Sequence, residues 1–111
     1  MCFVVEPEGA AILSGEPVTY PNHRIQGGGY AMLNFPLLSP ARVDGYVTES
    51  DRQAVEMARR LAREEGIFAG FSSGANVAAA IALLKTSLEG QTAVVLLCDP
   101  GLKYLSTDLW E

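Results

Sequence analysis

The sequence predicts an α/β fold, a partial doubly wound parallel sheet in which strands alternate with helices. Short segments with strand character occupy positions 2–5, 44–48, 67–71 and 92–98, and the first of them is apolar and β-branched. Segments with helical character follow the last three of them. This alternation favours parallel strands joined by right-handed crossovers. The 111 residues, 49% of them hydrophobic, suffice for one small packed domain.

The first strand is predicted to lead into a long loop. Turn residues from Glu6 to Gly9 end the strand, and residues 15–40 are rich in glycine and proline, with a run of three at Gly27-Gly28-Gly29. A loop of that length inside a compact domain is usually functional or disordered.

A helix is predicted directly after the second strand. Ser50 and Gln53 have the spacing of a capping box. Apolar residues then recur with helical periodicity and form one core-facing stripe, and Gly66 suits the left-handed position that ends a helix. The stripe consists of Ala54, Val55, Ala58, Leu61 and Ala62.

The remaining elements are predicted to be two strands and two helices. Residues 75–84, after the strand at 67–71, are apolar nearly all round, which predicts a helix covered on several sides. The strand at 92–98 is followed by Asp99-Pro100-Gly101, which breaks it before a short helix around residues 104–109.

Ligands of open α/β sheets bind beyond the carboxyl ends of the strands. One loop predicted at that edge, Gly70-Phe71-Ser72-Ser73-Gly74, matches the GxSxG nucleophile elbow of serine hydrolases. A hydrolase is disfavoured, because the single histidine, His23, precedes the serine whereas the catalytic histidine of these hydrolases follows it. Taken alone, Ser72 is better interpreted as the N-cap of the next helix.

Three other features receive no catalytic role from the sequence. His23 lies in a polar loop and is interpreted as a surface residue. The glycine run is not a dinucleotide fingerprint, since GxGxxG would need a glycine at Met32. Cys98, with no histidine nearby in sequence, is interpreted as a buried inert thiol.

Composition excludes several classes of function. A net charge of −5 argues against nucleic acid as a partner. The longest apolar run, residues 77–84, is too short for a membrane span. Two cysteines without metal-ligand spacing fit a reducing compartment, so a cytoplasmic location is expected.

Five short segments together resemble the carboxy-terminal part of cysteine synthase (O-acetylserine sulfhydrylase). They occur in the same order and with similar spacing, which makes chance agreement improbable. The segments are Val5-Glu6-Pro7, His23-Arg24-Ile25-Gln26-Gly27, Glu64-Glu65-Gly66-Ile67, Gly70-Phe71-Ser72-Ser73-Gly74-Ala75 and Tyr104-Leu105-Ser106-Thr107.

The resemblance implies the tryptophan-synthase-β-like (fold type II) pyridoxal-phosphate fold and a β-replacement that makes cysteine from O-acetylserine and sulfide. It places Ser72 at the pyridine nitrogen of pyridoxal 5'-phosphate and Gly27 near cofactor and substrate. Tyr30 departs from the usual cysteine synthase pattern and is more like cystathionine β-synthase. The alternative is therefore that the chain is part of a cystathionine β-synthase-like enzyme.

The resemblance also implies that this chain, residues 1–111, is a carboxy-terminal portion that is inactive alone. The family's Schiff-base lysine has no counterpart, since the only lysines are Lys85 and Lys103. A small-molecule amino-acid substrate is expected, together with a homo-oligomer or a separate amino-terminal half. A non-catalytic binding module for serine acetyltransferase stays open as a further hypothesis.

Overall fold

A computed structural model describes residues 1–27 and 32–111, and its central feature is a pair of parallel strands. One helix packs against both strands, and a second helix packs on the first. The strands pair in register from Phe3 opposite Gly45 to Pro7 opposite Glu49. The strands are β1 (Phe3–Pro7) and β2 (Gly45–Glu49), and the helices are α1 (Asp51–Glu65) and α2 (Phe71–Leu84). Short 3-10 turns span Pro40–Arg42, Gly101–Tyr104 and Asp108–Trp110. This arrangement confirms the partial α/β fold with parallel strands.

Helix α1 begins and ends where the sequence predicts. The Ser50 side chain accepts a hydrogen bond from the Gln53 N–H, and the Gln53 side chain accepts one from the Ser50 N–H at 2.9 Å. Gly66 follows the helix with φ +69°. Ala54, Ala58 and Leu61 are buried, so the predicted stripe faces the core.

The two helices approach each other most closely at Gly74 of α2. A methyl group at this position would overlap the backbone carbonyl of Ala54 and the backbone nitrogen of Ala58 in α1. Glycine therefore allows backbone contact between the helices and fixes the position of α2 on α1.

The predicted strand at 67–71 is wrong. Ala69 forms a single antiparallel bridge with Pro100, and Gly70 is the N-cap of α2, which starts at Phe71. Phe71 is 2% exposed and packs with Tyr104 and Leu109 in the core, whereas Ile67 and Phe68 are exposed. A buried aromatic residue at the start of a helix has the same local sequence signal as one at the end of a strand.

Residues 92–98 do not form the strand that their composition predicts. Within the described ranges no strand pairs with this segment, and Val94 is 95% exposed. A strand exists through hydrogen bonds to a neighbour, so apolar composition alone does not create one. The helix predicted around 104–109 is also wrong, because two separate 3-10 turns occupy this region.

Candidate functional site

The candidate site lies at the first turn of α2, where Ser72 and Ser73 are the second and third helical residues. Gly70 holds the N-cap position with extended backbone and no capping side chain. The interpretation of Ser72 as the N-cap is therefore wrong, since its hydroxyl lies within the helix.

The carboxylate of Asp99 caps this helix from another part of the chain. It accepts hydrogen bonds from the backbone N–H of Ser73 at 2.9 Å and of Ser72 at 3.3 Å, and also from the Ser73 hydroxyl. A negative charge at the N-terminus of a helix is favourable because the first N–H groups have no partner within the helix. Asp99 thus occupies the anion position at the start of α2.

Opposing effects determine the ionisation of Asp99. Burial raises the pKa of this carboxyl, but hydrogen bonds from the side chains of Ser73, Tyr104 and Ser72 and from the Ser73 backbone lower it. The result is a pKa below the ordinary value of 3.8, so Asp99 is a carboxylate at neutral pH.

The segment after Asp99 is held tightly against the start of α2. The Gly70 N–H donates to the Asp99 carbonyl at 2.9 Å, and the Gly101 N–H donates to the Phe68 carbonyl at 3.0 Å. A side chain at Gly70 would overlap the Tyr104 ring and the Asp99 carboxylate. Only glycine permits this close approach, which fixes the turn that carries Ser72.

Besides its side-chain hydrogen bond to the Asp99 carboxylate, the Ser72 hydroxyl lies beside Cys98. Its oxygen lies 3.2 Å from the Cys98 sulfur, and the carboxamide nitrogen of Asn76 lies 3.8 Å from the same sulfur. Ser72 is half-buried, and Cys98 is exposed, not buried as the sequence suggested. The site therefore presents three neutral polar groups: a hydroxyl, a thiol and a carboxamide.

The loop that contains Arg24 and Ile25 packs against the same end of α2. The Arg24 backbone N–H donates to Asp51 at 2.7 Å, and its guanidinium lies 5.2 Å from the centre of the Phe71 ring. Ile25 packs with Ala54, Ala75 and the strand residue Val5. Segments that are distant in the sequence, and that carry the resemblance noted above, thus meet around the start of α2.

Gly27, the second predicted site residue, lines a cavity near strand β1. Its φ of +92° requires a residue that tolerates the left-handed conformation. It contributes to the wall of a cavity of about 410 Å³ together with Val4, Val5, Glu6, Ile12, Leu13, Met32, Phe35, Leu37 and Leu38. Ser72 is not among the described residues that line this cavity. Gly28, Gly29 and Tyr30 lie outside the described residues.

The structural context of a nucleophile elbow is missing. That motif needs a strand directly before the serine, whereas residues 67–70 form no strand. Within the described ranges no cluster of metal-ligating side chains occurs, and no helix is long and apolar enough to cross a membrane.

Sequence reasoning did not identify Asn76 and did not find the capping role of Asp99. Asn76 stands four residues after Ser72, which places both on one side of a helix, and this spacing was the available signal. Asp99 was recognised only as part of a loop, because its contact with Ser73 joins residues 26 positions apart.

Comparison with known proteins shows which family the chain resembles. The family model described as pyridoxal-phosphate dependent enzyme matches residues 1–99. A cysteine synthase of Staphylococcus aureus is 41% identical over 108 residues, which cover 96% of this chain and 34% of that protein. An O-ureido-L-serine synthase of Streptomyces lavendulae is 41% identical over 110 residues, covering 96% and 32%.

Solved structures show the same relationship. The crystal structure of an O-ureido-L-serine-bound variant of O-ureido-L-serine synthase matches with a TM-score of 0.86 and 38% identity over 96% of this chain and 32% of that one. O-acetylserine sulfhydrylase isoform 3 of Entamoeba histolytica matches with a TM-score of 0.82 and 38% identity, covering 97% and 32%. The chain thus spans about a third of the length of these relatives, and it belongs to the family of pyridoxal-phosphate dependent enzymes.

Proposed function

We propose that this chain is the carboxy-terminal portion of a pyridoxal-phosphate dependent β-replacement enzyme that makes cysteine from O-acetylserine and sulfide. Ser72 contacts the pyridine nitrogen of the cofactor, and Gly27 lies near the cofactor and substrate. The observation that carries the proposal is the Ser72 hydroxyl, which is half-buried on a rigid turn at the start of α2, beside Cys98 and the Asp99 carboxylate.

The groups at the start of α2 fit a pyridine nitrogen. A hydroxyl can donate one hydrogen bond and accept others, so Ser72 can bind a ring nitrogen. Asp99 is the nearby carboxylate, and its oxygens are already engaged by Ser72, Ser73 and Tyr104. A ring nitrogen bound here therefore meets a neutral hydroxyl.

The same turn does not fit the cofactor phosphate. The N-terminal N–H groups of α2, which could bind an anion, already donate to the Asp99 carboxylate. A second anion at this position would be repelled by Asp99. The proposal thus assigns the ring end of the cofactor to this chain and the phosphate to the portion that the relatives contain in addition.

A neutral partner at the ring nitrogen favours one type of chemistry. The bound cofactor supplies an electron sink for carbanion chemistry at the substrate. Ser72 would make the cofactor a weaker electron sink, because a hydroxyl does not hold the ring nitrogen protonated as an ionised aspartate would. This preference suits elimination and replacement at the β-carbon better than transamination.

The two lysines do not provide the missing Schiff base in this arrangement. Lys85 follows the last residue of α2, about 20 Å from Ser72 along the helix axis. Lys103 is exposed, and its ammonium lies 5.4 Å from the centre of the Tyr104 ring. The chain alone should therefore have no β-replacement activity, and it needs an amino-terminal portion that carries the lysine.

Exposed apolar residues of the unpaired segment 92–98 support association with such a portion. Val94 is 95% and Leu96 is 78% exposed, and apolar surface of this kind marks interfaces. The edges of the strand pair β1–β2 likewise offer backbone groups to a further strand.

A chimera tests the proposal directly. This chain would replace the matching carboxy-terminal third of the Staphylococcus aureus cysteine synthase to which it is 41% identical. We expect the chimera to retain a visible absorption band from pyridoxal phosphate after dialysis, and to release acetate from O-acetylserine in the presence of sulfide. The 111-residue chain alone should show neither property.

The variant Ser72→Ala in the chimera is the matched test of the site. It should keep the fold and the covalently bound cofactor but lose most of the acetate release, and Ser72→Thr should restore part of it. Mass spectrometry of the product separates cysteine from O-ureido-L-serine and cystathionine when other nucleophiles are supplied. A stable chimera that binds no cofactor would refute the proposal.

A further inference from the structure

We infer that the ion pair between Arg24 and Asp108 positions Gly27, and that it thereby sets how tightly the substrate binds. The pair joins the loop before Gly27 to the 3-10 turn Asp108–Trp110, and its two residues are 84 positions apart in the chain. The inference rests on the proposed function, in which Gly27 lies near the cofactor and substrate. It deepens that proposal, because it names two positioning residues that act through Gly27.

The Asp108–Trp110 turn is held in place without the help of Arg24. The guanidinium of Arg59, in α1, donates to the backbone carbonyl of Leu109 at 2.7 Å and to that of Asp108 at 2.6 Å. The Leu109 side chain is fully buried in the core. The Asp108 carboxylate therefore projects from a fixed backbone and can anchor the arginine.

Arg24 contacts three elements that meet at this point. Its backbone N–H donates to Asp51, the first residue of α1, at 2.7 Å. Its guanidinium forms the ion pair with Asp108 and lies 5.2 Å from the ring centre of Phe71, the first residue of α2. The guanidinium thus fixes the loop to the turn and to α2 at the same time, whereas a neutral side chain would keep only the backbone contact.

Gly27, three residues after Arg24, has little packing of its own. Among the described residues outside its immediate chain neighbours, no atom lies within 4 Å of the point where a Cβ would stand. Glycine also has wide backbone freedom, because it lacks a side chain. Ile25 is buried in a core cluster and, together with Arg24, provides the anchors that precede Gly27. Fixing Arg24 therefore restricts where Gly27 can lie.

The pair is too exposed to contribute much to global stability. The side chain of Arg24 is 36% exposed and that of Asp108 is 58% exposed, and ion pairs in contact with water stabilise proteins only weakly. Its loss should therefore leave unfolding nearly unchanged and should be detected at Gly27 instead. The ion pair Arg60–Glu64 in α1 is similarly exposed, at 41% and 51%, and provides the matched control.

NMR relaxation of the backbone amides tests the positioning role on the 111-residue chain without any cofactor. Asp108→Asn keeps the size of the side chain and removes its charge. We expect this variant to lower the order parameter of the Gly27 amide from about 0.85 toward about 0.6, the value of flexible backbone. Arg24→Gln should have the same effect, and Asp108→Glu should restore the order. Glu64→Gln should leave Gly27 unchanged. A Gly27 amide as ordered in Asp108→Asn and Arg24→Gln as in wild type would overturn the inference.

Steady-state kinetics of the cysteine synthase chimera test the consequence for the substrate. Asp108→Asn should raise the KM for O-acetylserine about tenfold through misplacement of Gly27. The kcat and the absorption band of the bound cofactor should stay unchanged, since the reacting groups are intact. Asp108→Glu should restore the KM, and Glu64→Gln should not alter it. An unchanged KM in Asp108→Asn, or a loss of kcat alone, would overturn the inference. Failure of the chimera to bind cofactor would instead refute the proposed function, and the order parameter of Gly27 would still decide whether the pair positions this residue.

Discussion

Replacing Gly74 with alanine should destabilise the protein, although the same change stabilises an ordinary helix. Helix propensity favours alanine by about 1 kcal/mol. The added methyl group would overlap the Ala54 carbonyl and the Ala58 nitrogen, which are backbone atoms that cannot rotate away. Overpacking of this kind costs up to about 3 kcal/mol, because one helix must shift on the other. The difference leaves a net loss of about 2 kcal/mol.

Chemical and thermal denaturation followed by circular dichroism measure this loss. A loss of about 2 kcal/mol should lower the melting temperature by about 5 to 10 °C in a domain of this size. Ala82→Gly is the control, because Ala82 is exposed on the same helix and its replacement should cost about 1 kcal/mol through propensity alone. A Gly74→Ala variant as stable as wild type, or more stable, would show that the close contact between α1 and α2 does not exist.

Three further predictions concern buried polar groups. Burial raises the pKa of Glu49, whose Oε2 has no hydrogen-bond partner among the described residues. Wild type should therefore lose stability relative to Glu49→Gln as pH rises through that raised pKa. Urea denaturation at several pH values measures the free energy of unfolding of both proteins. The difference between wild type and Glu49→Gln should be smallest below pH 4.5, the ordinary pKa of a glutamate. Asp99→Asn should cost about 1 to 3 kcal/mol at pH 7, and because the pKa of Asp99 is lowered, the cost should shrink as pH falls through that pKa. Ser73→Ala should cost about 1 to 3 kcal/mol, since it removes a buried hydroxyl from the Asp99 network. Ser72→Ala should change stability by less than about 0.5 kcal/mol, and similar losses in the two serine variants would contradict the division of roles between them.

Helix α1 was predictable because its determinants are local. Ser50, Gln53 and Gly66 specify its ends through contacts within a few residues, and the apolar period specifies which face is buried. Its neighbouring strand β2 was predicted to within one residue, and it pairs with β1 in the parallel manner expected.

The segments at 67–71 and 92–98 could not be predicted in the same way. Their apolar content is compatible with a strand, but a strand requires a hydrogen-bonded neighbour, which is a property of the tertiary structure. Phe71 is buried as a strand residue would be, yet it is buried by Tyr104 and Leu109, more than 30 positions away. Local composition carries no information about such contacts.

The two serines of the GFSSG segment show that local sequence is also insufficient to assign roles at the candidate site. Ser73 and Ser72 are identical in chemistry and adjacent in sequence, so no local pattern distinguishes them. Their surroundings distinguish them. Ser73 is fully buried and bonds Asp99 through its hydroxyl and its backbone, whereas Ser72 is half-buried and its hydroxyl also lies 3.2 Å from the Cys98 sulfur. Complete burial makes Ser73 structural, whereas partial exposure leaves Ser72 accessible, and the local sequence does not show this difference.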